Sequence, residues 1–270
     1  MEIKKPFLSI IIPVFYNELN ITPLYQKLKE HILDNKDIDY ELIFVDDGSK
    51  DNSYAELEKL HNINSKVKLV KLSKNFGSYT AILAGLNYAK GDCATAISAD
   101  LQDSPQIIIN MMEKWQQGNK VVLAVRKDRE ESGLQKLISN THYKLMRKFA
   151  LPNMPKGGFD CFLIDRKVID ILTAMEEKNT ALIGQILWCG FKMDMIYYVR
   201  QKREIGKSRW TLSKKIKYFI DSFLSFSYFP IRAMSVVGIL TSLFGFCYGG
   251  IVIFNKLFND TVVTGWSSMM

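Results

Sequence analysis

Along the first half of the chain, short apolar and β-branched runs alternate with stretches whose apolar residues recur at helical spacing. The runs "LSIIIPV" (8–14), "ELIFVDD" (41–47), "VKLVKL" (67–72), "CATAIS" (93–98) and "KVVLAVR" (120–126) read as strands. Helix starts are marked between them. Thr22-Pro23 puts proline at a first helical position, Ser53-x-x-Glu56 has the capping-box pattern, and Ser104-Pro105 repeats the cap-plus-proline signal. Strand–helix alternation with short links predicts an α/β architecture: a mostly parallel, Rossmann-like sheet with helices on both faces. Ligands of such sheets bind beyond the carboxyl ends of the strands.

After Arg126 the pattern changes. Residues 134–150 read as an amphipathic helix, Lys156-Gly157-Gly158 as a loop, and "MDMIYYV" as a further strand. "DCFLIDRKVIDIL" and a Trp188-bearing segment lie between. In 211–229, Leu212, Ile216, Phe219, Ile220, Phe223 and Phe226 fall at helical spacing, with Lys214, Lys215, Lys217 and Asp221 among them. Ala233 to Phe254 then runs 22 residues without a charge, bracketed by Arg232 and Lys256. A helix of that length matches a hydrocarbon core of roughly 30 Å. The basic amphipathic helix before it belongs in the headgroup plane. These boundaries predict a folded α/β domain over 1–200, a basic juxtamembrane segment over 201–232, a span over 233–254, and a tail over 255–270 that ends the chain or begins a second span.

Charge supports that division. Of the formal +8 carried by 270 residues, +7 lies between Arg200 and Arg232, where nine Lys/Arg face two acids. A nearly neutral body with one basic stretch beside a span argues against a nucleic-acid binder. It also predicts that residues 1–232 face the cytoplasm from the cytoplasmic membrane. Cys93, Cys161, Cys189 and Cys247 show no metal spacing and read as free thiols of a reducing compartment. The opening "MEIKKPFLSIIIPVF" enters a strand directly and lacks the pattern of a signal peptide.

Three polar strand ends converge on one rim if the sheet is parallel: Pro13 to Glu18, Asp46 to Ser49, and Ser98 to Asp103. Asp100, Gln102 and Asp103 offer hard oxygen ligands suited to Mg²⁺ or Mn²⁺ bridging a diphosphate. The same acids are also favourable at the start of the helix that Ser104-Pro105 opens, and both readings stand. Several unneutralised carboxylates at one rim repel one another, so a cation rather than a buried structural pairing is expected. Asp46 is placed to accept from a base or ribose, with Gly48 allowing the tight turn; an ordinary Asp/Gly/Ser strand ending is the plain alternative.

The ordered set "SIIIPVFYNE", "ELIFVDDGSKDNS", "LSKNFGSYTAILAGLNYAKGD", "SADLQDSP" and "CFLIDRKV" resembles the inverting glycosyltransferases of family two. Within it, the chain resembles the polyprenyl-phosphate glycosyltransferases related to dolichol-phosphate mannose synthase, across nearly its whole length. The resemblance implies a GT-A fold, and transfer of glucose or N-acetylglucosamine from a nucleotide diphosphate sugar, UDP-linked by preference, to a polyprenyl (undecaprenyl) phosphate. It implies a nucleotide site of Pro13, Val14, Tyr16, Glu18, Asp46, Gly48, Ser49, Asn75, Gly77, Asp100 and Arg126, and an Mg²⁺ or Mn²⁺ held by Asp100 and Gln102. Asp160 and Asp100 would be the catalytic carboxylates, and Arg203, Lys207, Ser208 and Arg209 would take the acceptor phosphate. Relatives often read Asp-Ala-Asp where this chain has Ser98-Ala99-Asp100, so coordination would rest on fewer carboxylates.

Three rivals fit less well. A polysaccharide synthase carries Gln-x-x-Arg-Trp, but Gly206 stands three residues before Arg209-Trp210. A dinucleotide-dependent oxidoreductase needs G-x-G-x-x-G after the first strand, where "PVFYNE" stands. A non-catalytic, membrane-tethered nucleotide-sugar sensor explains the missing first aspartate but not the retained Asp46, Asp100 and Asp160. A single apolar span with interfacial helices also permits a homo-oligomer.

Overall fold

The computed structural model describes residues 5–127, 133–177, 181–201 and 212–258, in two units, Met1–Phe226 and Ser227–Met270. The first is built on a seven-stranded sheet ordered β3-β2-β1-β4-β6-β5-β7. Its strands are β1 (Phe7–Val14), β2 (Asp39–Asp46), β3 (Val67–Lys71), β4 (Cys93–Ala96), β5 (Val121–Arg126), β6 (Cys161–Asp165) and β7 (Met193–Tyr198). Every pairing is parallel except those of β6, which runs antiparallel to both β4 and β5. The reversal has a consequence for chemistry. The carboxyl ends of β1, β2, β4, β5 and β7 share one rim with the amino end of β6, so Asp160, just before β6, arrives where Arg126 ends β5.

Helices cover both faces because the strands alternate. Leu8, Ile10, Ile12, Leu42 and Phe44 face one core with α1 (Ile21–Leu28), its π-helical continuation Lys29–Leu33, α2 (Ser53–Ile63) and α4 (Gln106–Gln116). Ile11, Ile43, Val45, Leu123 and Val125 face the other. There they meet α3 (Ser78–Tyr88), α5 (Gly133–Phe149), α6 (Arg166–Ala174) and α7 (Leu182–Trp188). A strand buried on both sides has no polar positions to spare, which accounts for near-continuous runs such as "LIFV".

The expected helix starts need correction. Pro23 is the third residue of α1, not the first; the first turn's N–H groups have no helical partner, so proline is tolerated there. Ser53 is the first residue of α2 rather than its cap, because its Oγ accepts from the Asn17 N–H (2.9 Å), while Glu56 pairs with Lys59. At α4 the cap position is Pro105 itself, with Ser104 Oγ accepting from Gln106 N at 3.4 Å. "DCFLIDRKVIDIL" divides at Asp165, whose carboxylate caps α6 by accepting from Lys167 N.

Helix α8 (Leu212–Phe226) also differs from the purely interfacial helix expected of it. Phe223 and Phe226 pack against the second core, Phe223 edge-on to Phe149 at 6.5 Å, while Ile220 and Leu224 stay exposed. Among its described side chains the apolar stripe is therefore shared between the second core and the outside. In the second unit, α9 (Phe229–Phe258) has 30 residues, none buried, and is long and apolar enough to cross a membrane. It extends beyond the charge-free 233–254 at both ends.

One buried carboxylate ties the sheet to the loop entering β4. Glu41, 3% exposed, accepts from Ser9 Oγ (2.6 Å) and the Lys90 N–H (2.6 Å) and pairs with Lys68. Burial pushes its pKa up, but Lys68, the Lys90 amide and Ser9 outweigh it and hold the group below its ordinary 4.5. A depressed folded pKa contributes stability above the unfolded value and loses it as pH falls through the folded one. Glu41→Gln is expected to lower unfolding free energy by about 2 kcal/mol at pH 7. In denaturant titrations the gap to wild type should shrink as pH falls below about 4.5; a gap that stays constant down to pH 3 contradicts the role.

Candidate functional site

Two rim loops are stitched together by backbone donors. Asp47 N donates to Val14 O (2.8 Å), Tyr16 N to Ser49 Oγ (3.0 Å), and Asn52 N to Glu18 Oε2 (2.9 Å). Tyr16 is held at φ +56°, a costly conformation for a residue with a side chain, and its ring meets Phe15 edge-on at 4.6 Å. Pro13 lies one residue before the end of β1, opposite Val45. Asp46 is fully buried; its Oδ1 accepts from Ser49 N (3.1 Å), and its Oδ2 has no partner among the described residues. An orphaned buried acceptor costs free energy until a donor reaches it, so Asp46 suits an N–H or O–H of a ligand.

Asp47 corrects the expectation that rim carboxylates avoid structural pairing. Its two oxygens accept from Phe76 N (2.7 Å), Gly77 N (2.9 Å) and Asn75 Nδ2 (2.8 Å). Burial dominates and raises its pKa against the pull of those amide donors. Asn75 and Gly77, predicted to face a nucleotide, are thus engaged in holding their own loop, with Gly77 at φ +96°. Gly48 locks the two loops: a Cβ there would stand 2.6 Å from the carbonyl carbon of Lys74.

Across the rim, five charged groups form one cluster. Arg126 Nε is ion-paired with Asp160 Oδ2. Arg200 Nε lies 3.1 Å from Asp103 Oδ1, and its NH2 group donates at 3.4 Å both to Asp103 Oδ2 and to Asp100 Oδ2. Tyr198 donates its hydroxyl to Asp103 Oδ1 (3.0 Å) and also faces the Arg126 guanidinium. Burial raises the pKa of Asp103, Asp100 and Asp160 add to it, and Arg200 and Tyr198 oppose it. Burial also pushes up the Tyr198 hydroxyl and the Cys161 thiol, each further raised by these acids. At Arg126 burial opposes the charge, but Asp160 and Tyr198 outweigh it and raise the pKa.

Tyr198 and Arg200 went unassigned in the sequence. The signal was present: a strand parallel to β5 delivers whatever follows it to the same rim, and Arg200 opens the basic stretch. Asp103 acts neither as a helix-terminus acid nor toward solvent; it anchors Arg200 and Tyr198. Gln102 is clasped twice to Gln201, accepting from its N–H (3.0 Å) and donating Nε2 to its carbonyl (3.0 Å). Leu101 between these ligand candidates is held at φ +61°. Arg203, Lys207, Ser208 and Arg209 lie outside the described residues.

The donors fit a hard divalent cation. Among the described residues three carboxylates face two guanidinium groups, and Asp100 is a buried oxygen donor 6% exposed. Among the described residues no three His, Cys, Asp or Glu side chains converge as a self-sufficient cage, so such an ion would share its oxygens with a phosphate ligand and water. A cavity of about 710 Å³ lies at the opposite rim, lined by Lys5, Phe7, Asp39, Tyr40 and Lys66. There Lys66 is taken up by Asp39 (2.5 Å) and the Tyr40 ring, so it lacks the acid cluster's chemistry.

Comparisons with known proteins agree with this geometry. The model of "Glycosyl transferase family 2" matches residues 9–173. An uncharacterized glycosyltransferase, YkcC, of Bacillus subtilis is 41% identical over 97% of this chain and 81% of its own length. The bactoprenol glucosyl transferase of Shigella phage SfV is 32% identical, covering 97% of this chain and 86% of that protein. Among solved structures, the mannosyltransferase PcManGT from Pyrobaculum calidifontis, in complex with GDP-Man and Mn²⁺, superposes with TM-score 0.55 at 16% identity, over 80% of this chain and 61% of that one. Glucosyl-3-phosphoglycerate synthase from Mycobacterium tuberculosis, with Mn²⁺, UDP and phosphoglyceric acid, gives TM-score 0.53 at 15% identity, over 80% and 75%. At such identities the likeness is one of fold, the GT-A arrangement. With the family model matching more than half of the chain, including the segments that carry Asp46, Asp100 and Asp160, the chain belongs to glycosyl transferase family 2.

Proposed function

We propose that this protein transfers glucose from a nucleotide diphosphate sugar, UDP-glucose by preference, to undecaprenyl phosphate at the cytoplasmic face of a membrane. The observation that carries the reading is the Asp100–Asp160–Arg126–Arg200 cluster at the strand ends, in a chain that aligns over 97% of its length with bactoprenol glucosyl transferases. In this reading residues 1–200 are catalytic, 201–232 bring the centre to the headgroups, and 233–254 form the hydrocarbon-spanning part of α9. Arg203, Lys207, Ser208 and Arg209 supply charge-assisted hydrogen bonds to the acceptor phosphate.

The residues divide the work by place. Asp46 presents its orphaned Oδ2 to a base or ribose donor, and the loop from Pro13 to Glu18, with Val14, Tyr16, Gly48 and Ser49, forms the wall beside it. A Mg²⁺ or Mn²⁺ bound by Asp100 with Gln102 would neutralise charge on the departing diphosphate. Arg126 fixes Asp160 in one orientation at the rim. The acceptor phosphate has its second pKa near ~6, so at neutral pH it attacks the anomeric carbon largely without a base. Asp160 then orients that oxygen and opposes positive charge developing on the sugar, on the face opposite the leaving group, giving inversion.

Two outcomes follow for transfer of labelled sugar to undecaprenyl phosphate. Asp160→Asn should lower kcat by about 100-fold or more with donor Kd changed less than about threefold; near-normal turnover removes Asp160 from the reaction. Asp100→Asn, or wild type treated with chelator, should lose transfer, with Mn²⁺ restoring only the chelated wild type. Full activity under chelation contradicts metal dependence.

A further inference from the structure

The ion pairs of Arg200 are unequal. Toward Asp103 the guanidinium is engaged side-on, Nε at 3.1 Å and NH2 at 3.4 Å, and Asp103 is itself 4% exposed and held by the Tyr198 hydroxyl. Toward Asp100 there is one contact, NH2 at 3.4 Å. The Nε–NH2 edge of the side chain is therefore held by Asp103, and the NH2 group is shared at 3.4 Å with Asp100, the carboxylate proposed to hold the cation. A divalent ion at Asp100 and the NH2 group compete for the same oxygens and repel each other. The pairing with Asp103 keeps the guanidinium at the rim when the ion arrives, and the NH2 hydrogen released by Asp100 is free to take an anionic partner close by. A diphosphate bridged to that ion supplies one, with the geometry a guanidinium fork matches.

We infer that Arg200 is a binding residue for the donor's diphosphate: tethered by Asp103 and Tyr198, it exchanges Asp100 for a phosphate oxygen when the cation and donor bind. Asp103 and Tyr198 are then positioning residues, which explains why a buried acid and a buried phenol stand beside the ligand carboxylate without binding the ion. The pairing of Gln102 with Gln201 keeps the two partners of the exchange on facing strands of chain. This inference rests on the donor-binding reading above.

The test uses the full chain in detergent, with Mn²⁺ alone followed by electron paramagnetic resonance and UDP at saturating Mn²⁺ followed by calorimetry. Arg200→Gln should bind Mn²⁺ alone about threefold more tightly, because a competing cation is gone, yet bind UDP about tenfold more weakly. Arg200→Lys keeps the charge but not the fork, so Mn²⁺ affinity should stay near wild type while UDP weakens. Opposite signs on the two ligands are not produced by a damaged fold, which weakens both. Affinities that move together, or an unchanged UDP affinity in both variants, overturn the assignment of Arg200. A wild type that binds Mn²⁺ but no UDP overturns the donor reading itself.

Discussion

Three carboxylates share a small volume at the sheet rim only because two guanidinium groups stand among them. Asp160 is matched by Arg126, and Asp100 and Asp103 by Arg200. Removing that compensation would leave the buried Asp100 and Asp103 repelling each other and the more exposed Asp160, at a cost that protonation or local unfolding would have to relieve. The topology follows from this need. Asp100 comes from the end of β4, Arg126 from β5 and Arg200 from just beyond β7, all pointing the same way, and the reversed β6 adds Asp160 from its start. A uniformly parallel sheet would have carried Asp160 to the far edge.

Among the described residues the cluster holds one more carboxylate than guanidinium, and that arrangement connects architecture to chemistry. A site balanced by arginines alone would bind neither cation nor diphosphate with much selectivity. Arginines that nearly balance it leave room for a divalent ion, whose excess positive charge then favours an anionic ligand. On the neighbouring side, the Asp46 acceptor and the strained Tyr16 turn are fixed by Ser49, Ser53 and Asn52, so the wall proposed to face the nucleotide is built before any ligand arrives. Preorganisation of this kind lowers the ordering cost of binding.

Much of this was legible in residue patterns. Apolar and β-branched runs mark six of the seven strands, all but β6, and amphipathic spacing over 134–150 marks the helix found over 133–149. The convergence of Asp46 and Asp100 followed from parallel connectivity alone. What escaped was non-local. Nothing near Asp47 in sequence signals that its carboxylate will bind the amides of residues 76 and 77, and Ser53 looks like a cap until the Asn17 amide claims its hydroxyl. Arg200 was read as one basic residue among nine, because its partners lie about a hundred positions earlier. The stripe on α8 reads whole as a membrane face, whereas Phe223 and Phe226 are partly buried against the second core.

The proposed chemistry stands on a diphosphate gripped at this rim through a cation on Asp100. A crystal structure of the protein grown with Mn²⁺ and UDP, using the anomalous signal of manganese to locate the ion, tests that grip most directly. One manganese is expected within coordination distance of an Asp100 oxygen and of both phosphates, with the base beside Asp46. A diphosphate bound at the opposite rim, or manganese coordinated without Asp100, would contradict it.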